Sequence, residues 1–188
     1  MTIRRLLPIL ILTGCGLFSR SQSKFYSLDR IPPAAPPAAV AAVPVAIDGI
    51  ELPPGLDRRE VVVRQADHKL EVRSAEQWSA SLQPLVLHTL AFDLAARMPE
   101  GMVILPGAAK PTGAIRSVDV VLEELAAGPN PVVVLDGRWT VTEPGRGRVT
   151  QHERITVDIA SLDSANIATG MSQAVGMLAD RMAAQLLR

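Results

Sequence analysis

Val132–Glu143, VVVLDGRWTVTE, followed past Pro144-Gly145-Arg146-Gly147 by Arg148–Ile159, RVTQHERITVDI, decides the fold class. In the second run Ile155, Val157 and Ile159 alternate with Arg154, Thr156 and Asp158. That is how a strand with one face in the core and one in water reads. Gly145-Arg146-Gly147 suits a tight reversal, so the two runs are expected as a hairpin. Upstream, Ser117–Leu125 (SVDVVLEEL) reads as a third long strand. Shorter strands are expected at Phe25–Leu28, Val43–Glu51, Glu60–Arg64, Lys69–Arg73 and Met102–Leu105, most of them rich in Val or Ile and flanked by Pro, Gly or Asp turns.

Two segments carry a helical period instead. Trp78, Leu82, Val86, Leu90 and Leu94 recur every four residues, with Leu85 and Met98 widening the stripe. Ser74 three residues before Gln77 fits a capping box, so this helix is expected to open at Ser74 or Ala75. Pro84 lies inside the pattern and should kink the helix or mark a restart nearby. The final helix, capped by Asp163 or Ser164, presents Ile167, Met171, Val175, Leu178, Met182 and Leu186. Both stripes, Trp78 and the methionines included, read as core-facing rather than as lipid or partner surfaces. Eight strands and two amphipathic helices imply a single α+β domain, a largely antiparallel sheet with both helices packed on one face.

The chain ahead of this domain is of another kind. Arg4 and Arg5 precede the apolar run Leu6–Leu12 (LLPILIL), and small residues Thr13 and Gly14 lead into Cys15, the order of an export signal. About 20 apolar residues are needed to span a bilayer as a helix, so this run is too short for a permanent anchor. Leu12-Thr13-Gly14-Cys15 resembles the bacterial lipobox, in which the cysteine thiol takes diacylglycerol and becomes the new N-terminus. The competing reading is an ordinary secretory signal with an incidental cysteine. Cys15 is the only cysteine and stands where the lipobox requires it, so it is the expected lipidation site. Acyl chains on one residue convert marginal membrane binding into stable anchoring. The expected division is a signal peptide at 1–14, a tether at 15–24 and a periplasmic domain at 25–188. Within the domain, 31–44 (IPPAAPPAAVAAVP) is a Pro/Ala-rich extended loop.

Composition narrows the function classes. The 19 Lys+Arg balance 19 Asp+Glu, and losing Arg4 and Arg5 on processing leaves a net charge of −2. A nucleic-acid partner is not expected, since that would favour a basic patch. With its one thiol lipidated the domain has no disulfide to rely on. Hydrophobic residues make up 48% and aromatics 3%, so Val, Leu, Ile and Ala must build the core.

Searching for chemistry yields little. His68, His88 and His152 fall in a turn, a helix and a strand without metal-ligand spacing, and no cofactor beyond the lipid on Cys15 is expected. Nucleophile-elbow, Walker and dinucleotide motifs are absent. Glu123 and Glu124 are adjacent, so on a strand they face opposite ways and cannot act as a carboxylate pair. The most distinctive stretch is Ile50–Arg64, IELPPGLDRREVVVR, where Pro53-Pro54-Gly55 turns the chain between strands. It reads either as a structural connection closed by an Asp57 turn bond or as a binding loop. Leu52, Pro53, Leu56, Asp57 and Arg58 are therefore the candidate partner-binding turn.

Lipobox Cys15, then Tyr26-x-Leu28, then Leu52-Pro53-x-x-Leu56-Asp57-Arg58 before a Val-rich strand and Arg64, then Trp78-x-x-x-Leu82, resembles the ABC-type transport auxiliary lipoproteins. The paraquat-inducible protein C-like group is the nearest. Gly55 stands where that family often has an aromatic. The resemblance implies a non-enzymatic, outer-membrane-anchored periplasmic lipoprotein. Its implied partners are an inner-membrane permease, an ATPase and a mammalian-cell-entry (MCE) domain protein, which together move lipid between membranes and support envelope integrity. Gly16 after the lipidated cysteine favours the outer membrane, because an inner-membrane retention signal usually places Asp there. A homo-oligomer matching a symmetric transporter is compatible with this. The alternatives are an assembly-factor lipoprotein of another outer-membrane machine and an anchored hydrolase with an unrecognised site.

Overall fold

The computed structural model describes residues 22–34 and 43–188. The signal peptide, Cys15, most of the tether and the centre of the Pro/Ala segment lie outside the described residues. Eight strands and two helices follow in the order β1 (Lys24–Tyr26), β2 (Val45–Glu51), β3 (Glu60–Arg64), β4 (Leu70–Trp78), α1 (Leu82–Ala95), β5 (Val103–Ile104), β6 (Arg116–Ala127), β7 (Val132–Glu143), β8 (Gly147–Asp158) and α2 (Ser164–Leu186). β1 thus begins at Lys24, the last residue assigned to the tether.

The alternating stretches form the backbone of one sheet. β6, β7 and β8 are an antiparallel meander, Ser117 opposite Thr142 and Val132 opposite Asp158. Glu143 closes on Gly147 as the expected hairpin. The sheet is mixed. Its long ladders are antiparallel, and short parallel contacts join β1 to β4, β2 to both β5 and β6, and β3 to β6. β2 runs beside the first half of β6, and β3 takes over at Ala127.

Both helices cover the same face. α2 packs on β7 and β8, α1 on β2 and β5, and the helices pack on each other. Val118, Val120, Leu125, Leu135, Trp139 and Ile155 from the sheet join all six residues of the α2 stripe in one buried cluster. Asp163 caps α2, its side chain accepting from Asn166 N. On the opposite face a small cluster of Leu56, Val62 and Ala126 covers the centre of the sheet.

The beginning of α1 differs from the periodic reading. β4 does not end at Arg73, and no helix opens at Ser74 or Ala75. The strand continues to Trp78 because β1 pairs alongside it, Lys24 with Glu76 and Tyr26 with Trp78. Trp78 N also donates to Arg59 O at 2.6 Å. Trp78 is 1% exposed, so it is core as expected, but it enters from a strand. α1 starts three residues later, with Ser81 as N-cap. Pro84 therefore lies in the first turn, where its missing N–H has no intrahelical partner to lose, and neither a kink nor a second start is required.

Candidate functional site

The turn between β2 and β3 is the site singled out by sequence, and neighbours fix it from three sides. Gly55 has φ +87°, a conformation that excludes the strain-free use of other residues. Leu56 is buried in the small outer cluster with Val62 and Ala126, hooking the turn over the sheet. Asp57 Oδ1 accepts from Gln83 N at 3.1 Å, and Gln83 Nε2 donates to Ile50 O at 2.6 Å. Gln83 is the second residue of α1, and the N-cap Ser81 makes no side-chain cap bond. Asp57 thus does in trans what a capping side chain does, and its negative charge sits at the positive end of the helix dipole. Arg58 Nε donates to Glu60 at 2.9 Å, which together with the nearby charge holds the Glu60 carboxyl below the usual carboxylate range. Leu52 packs against the main core, Pro53 is half-buried, and Pro54 and Gly55 are exposed.

The Asp57 bond gives a direct stability prediction. Asp57→Ala leaves an α1 donor without its partner and should cost about 1 kcal/mol. For a domain of this size that is a melting temperature lower by about 2–4 °C. Asp57→Asn, which can still accept, should melt near the wild type. An alanine variant indistinguishable from wild type would mean that the turn does not cap α1 in solution.

A second set of polar groups lies where the chain enters the domain, and sequence reasoning missed it. After β1 the segment Asp29–Ile31 crosses both helices. Asp29 N donates to Ser172 Oγ at 3.0 Å, and Ile31 N donates to Asp93 Oδ1 at 2.9 Å. Arg97 donates to Ile31 O and Asp93 O, both at 2.9 Å, and pairs with Asp180 at 2.5 Å. Arg30 lies over the Phe92 ring at 3.5 Å. Asp93 and Arg97 are 1% and 5% exposed, and among the described residues Asp93 Oδ2 has no hydrogen-bond partner. Burial pushes the Asp93 carboxyl up to about 6, against the opposing pull of the Ile31 N–H and Arg97. The available signal was Asp93 and Arg97, four residues apart in a stretch with few other charges.

A third grouping comes from strand register alone. Glu123 on β6, Asp136 on β7 and His152 on β8 bring ligand-type atoms within 4.8 Å of one another. Sequence spacing gave no hint of it, because the residues are 13 and 16 positions apart and meet only through the register of the sheet. Arg138 pairs with Glu123, Arg154 pairs with Asp136, and His152 Nε2 lies 2.9 Å from Asp136 Oδ1. The carboxylates are thus already neutralised by guanidinium groups on a mostly solvent-facing patch. We read it as a surface ion-pair network, each pair worth about 1 kcal/mol or less. Glu124 points elsewhere, to Arg64 at 2.7 Å, so the adjacent glutamates do not act together.

Among the described residues no helix is long and apolar enough to cross a membrane. No curated protein matches the chain. Two crystal structures share the fold. An uncharacterized protein aligns with TM-score 0.71 at 16% identity, over 87% of this chain and 98% of that one. A protein from Xanthomonas campestris aligns with TM-score 0.63 at 13% identity, over 88% and 95%. The family model described as "ABC-type transport auxiliary lipoprotein component" matches residues 26–183, which spans every element after β1 except the last turn of α2. The chain belongs to the ABC-type transport auxiliary lipoprotein family.

Proposed function

We propose that the protein is a non-enzymatic docking subunit, anchored in the outer membrane through lipid on Cys15, of an inter-membrane lipid transport system. Its partners in this reading are an MCE-domain protein, an inner-membrane permease and an ATPase, and its role supports envelope integrity. The family match over residues 26–183 carries the reading. A lipid anchor confines the domain to the membrane plane and raises its effective concentration near a spanning partner, so a modest interface suffices. Symmetry of such a partner would favour a ring or dimer of this chain. No cofactor enters the scheme beyond the covalent lipid.

The turn of Leu52, Pro53, Leu56, Asp57 and Arg58 is the proposed partner-facing surface. Support comes from its rigidity: a loop fixed by Leu56, Asp57 and Gln83 loses little entropy on binding. Because Asp57 also caps α1, Arg58→Ala is the cleaner probe of docking, since it leaves that cap in place.

The test is a mild-detergent pull-down of the full-length protein with identification of what co-purifies. Recovery of an MCE protein with its permease and ATPase, weakened by Arg58→Ala, is the expected result. Recovery of other envelope machinery would replace the transport reading with the assembly-factor one. Cys15→Ala should lose radioactive palmitate and membrane retention together. Label retained in that variant would remove the anchor from the scheme.

A further inference from the structure

Residues Lys24–Ile31 join the N-terminal chain to the domain, and they are attached mostly at its rim. Among the described residues β1 pairs with β4 alone, over three positions at the end of the sheet. Tyr26 O accepts from Ser79 N at 2.7 Å. The apolar share is small: Leu28 is buried, Tyr26 is half-buried and Phe25 is 60% exposed. Past Leu28 the backbone leaves the sheet, and its polar groups are met by side chains of the two helices and the turn after α1. Asp29 N donates to Ser172, Ile31 N donates to Asp93, and Ile31 O accepts from Arg97. Ile31 rests directly on α2 at Gly176, where an added Cβ would stand 2.7 Å from Ile31 Cβ.

The groove beneath this arm is polar. Asp93, Arg97 and Ser172 line it, and Asp180, the ion-pair partner of Arg97, is 51% exposed at its edge. A permanent join is better made with apolar residues, since replacing buried ionic groups by well-packed apolar ones is often neutral or stabilising. A polar groove instead takes up water when the segment leaves it. Segments with few buried apolar contacts open locally, at a free energy below that of the whole domain. Residues 32–44 separate the arm from β2, so its departure does not pull on the rest of the sheet.

We propose that Lys24–Ile31 is a releasable latch that sets the reach of the anchored domain. Docked, the nine residue steps from Cys15 to Lys24 span at most about 30 Å. Released, the thirty steps from Cys15 to Val45 span at most about 100 Å. The short leash concentrates the domain at its own membrane, and the long one lets it meet a partner farther off. The reach rests on the lipid at Cys15, whereas the latch does not.

Hydrogen exchange of the full-length lipidated protein in detergent micelles, read residue by residue by NMR, is the test. The amides of Ser79, Asp29 and Ile31 report on the three attachments. They are expected to share one opening constant, at least about tenfold above that of Leu135 and Trp139 in the central strand β7. Gly176→Ala should raise the shared constant about tenfold, because the new methyl group displaces Ile31. Alanine suits a helix better than glycine, so α2 itself is not weakened. Ser172→Ala removes only the acceptor of Asp29 N, yet should also speed exchange at Ile31 and Ser79 if the arm moves as one. Exchange of the three amides only together with Leu135 and Trp139 would overturn the latch. So would a Ser79 amide that stays closed while Ile31 opens, or unchanged exchange in both variants. Intact mass separates the two parts: Cys15 without lipid would overturn the leash and not the latch.

Discussion

Gly137→Ala should lower the melting temperature by about 10 °C. A Cβ at Gly137 would stand 2.4 Å from Val121 O and 2.8 Å from Leu122 Cα. Both are backbone atoms of the neighbouring strand, so no rotamer change relieves the clash. The close approach arises at the bulge in β6, where Leu122 opposes Gly137, Glu124 opposes Asp136, and Glu123 is left over. A bulge bends one strand towards its partner, and only a residue without a side chain fits under it. Overpacking usually costs about 1–3 kcal/mol, and a backbone contact that cannot relax belongs at or above the top of that range. With about 2–4 °C per kcal/mol for a domain of this size, the expected shift follows. Gly145→Ala is the matched control. That site has φ +78° but open space around the new Cβ, so it carries conformational strain alone, about 1–2 kcal/mol. Equal melting of the two variants would show that β6 and β7 are not bulged together in solution.

Thermal stability should fall as the pH rises from 3.8 to about 6, and Asp93→Asn should remove most of that slope. The folded carboxyl titrates at about 6, against 3.8 for its ordinary value. Below the lower value both folded and unfolded states hold the proton, and stability is indifferent to pH. Between the two values only the folded state holds it, so each rise in pH favours unfolding. Above about 6 both states are ionised, and the fold bears the full cost of a buried carboxylate, up to about 3 kcal/mol. The charged groups acting on it are Arg97 and Arg30, which favour ionisation, and Asp180, which opposes it. Asparagine keeps an oxygen for Ile31 N and carries no charge. The variant should therefore melt higher than the wild type at about pH 7 and match it only below the lower value, 3.8. A wild-type curve that is flat or rises over this range would contradict the assignment. The consequence for the molecule is local. Asp93 and Arg97 fasten Ile31, and both the Ile31 N–H and Arg97 favour the ionised carboxyl, so the cost of ionisation lies in burying the charge.

How far each feature could be read in advance depended on the distance over which it is determined. The strands Glu60–Arg64 and Val132–Glu143 have the bounds their residues suggest, because alternation and turn residues act within a few positions. The same holds for α2, whose Asp163 cap and apolar stripe lie in one continuous stretch. Gly137 left a legible trace too: a glycine inside a strand pattern commonly marks a bulge or a close backbone approach.

The remaining features arise between segments far apart in the chain. Trp78 suits the end of a strand or the first turn of a helix equally well, and β1, some 50 residues earlier, decided for the strand by pairing with it. The parallel contacts of β2 and β3 with β6 leave no local signature, since parallel partners are joined by long connections. Asp57 reads as a turn residue, and only the packing of α1 beside that turn makes it a helix cap. Asp93 and Arg97 and the Glu123–Asp136–His152 network are likewise products of assembly. By itself the sequence determined the α+β class, the elements with a local period and the expectation of a lipid anchor at Cys15. The tertiary structure alone decided which polar groups meet and which are left unsatisfied. Burial and hydrogen-bond partners belong to pairs of segments, and no single stretch of chain encodes them.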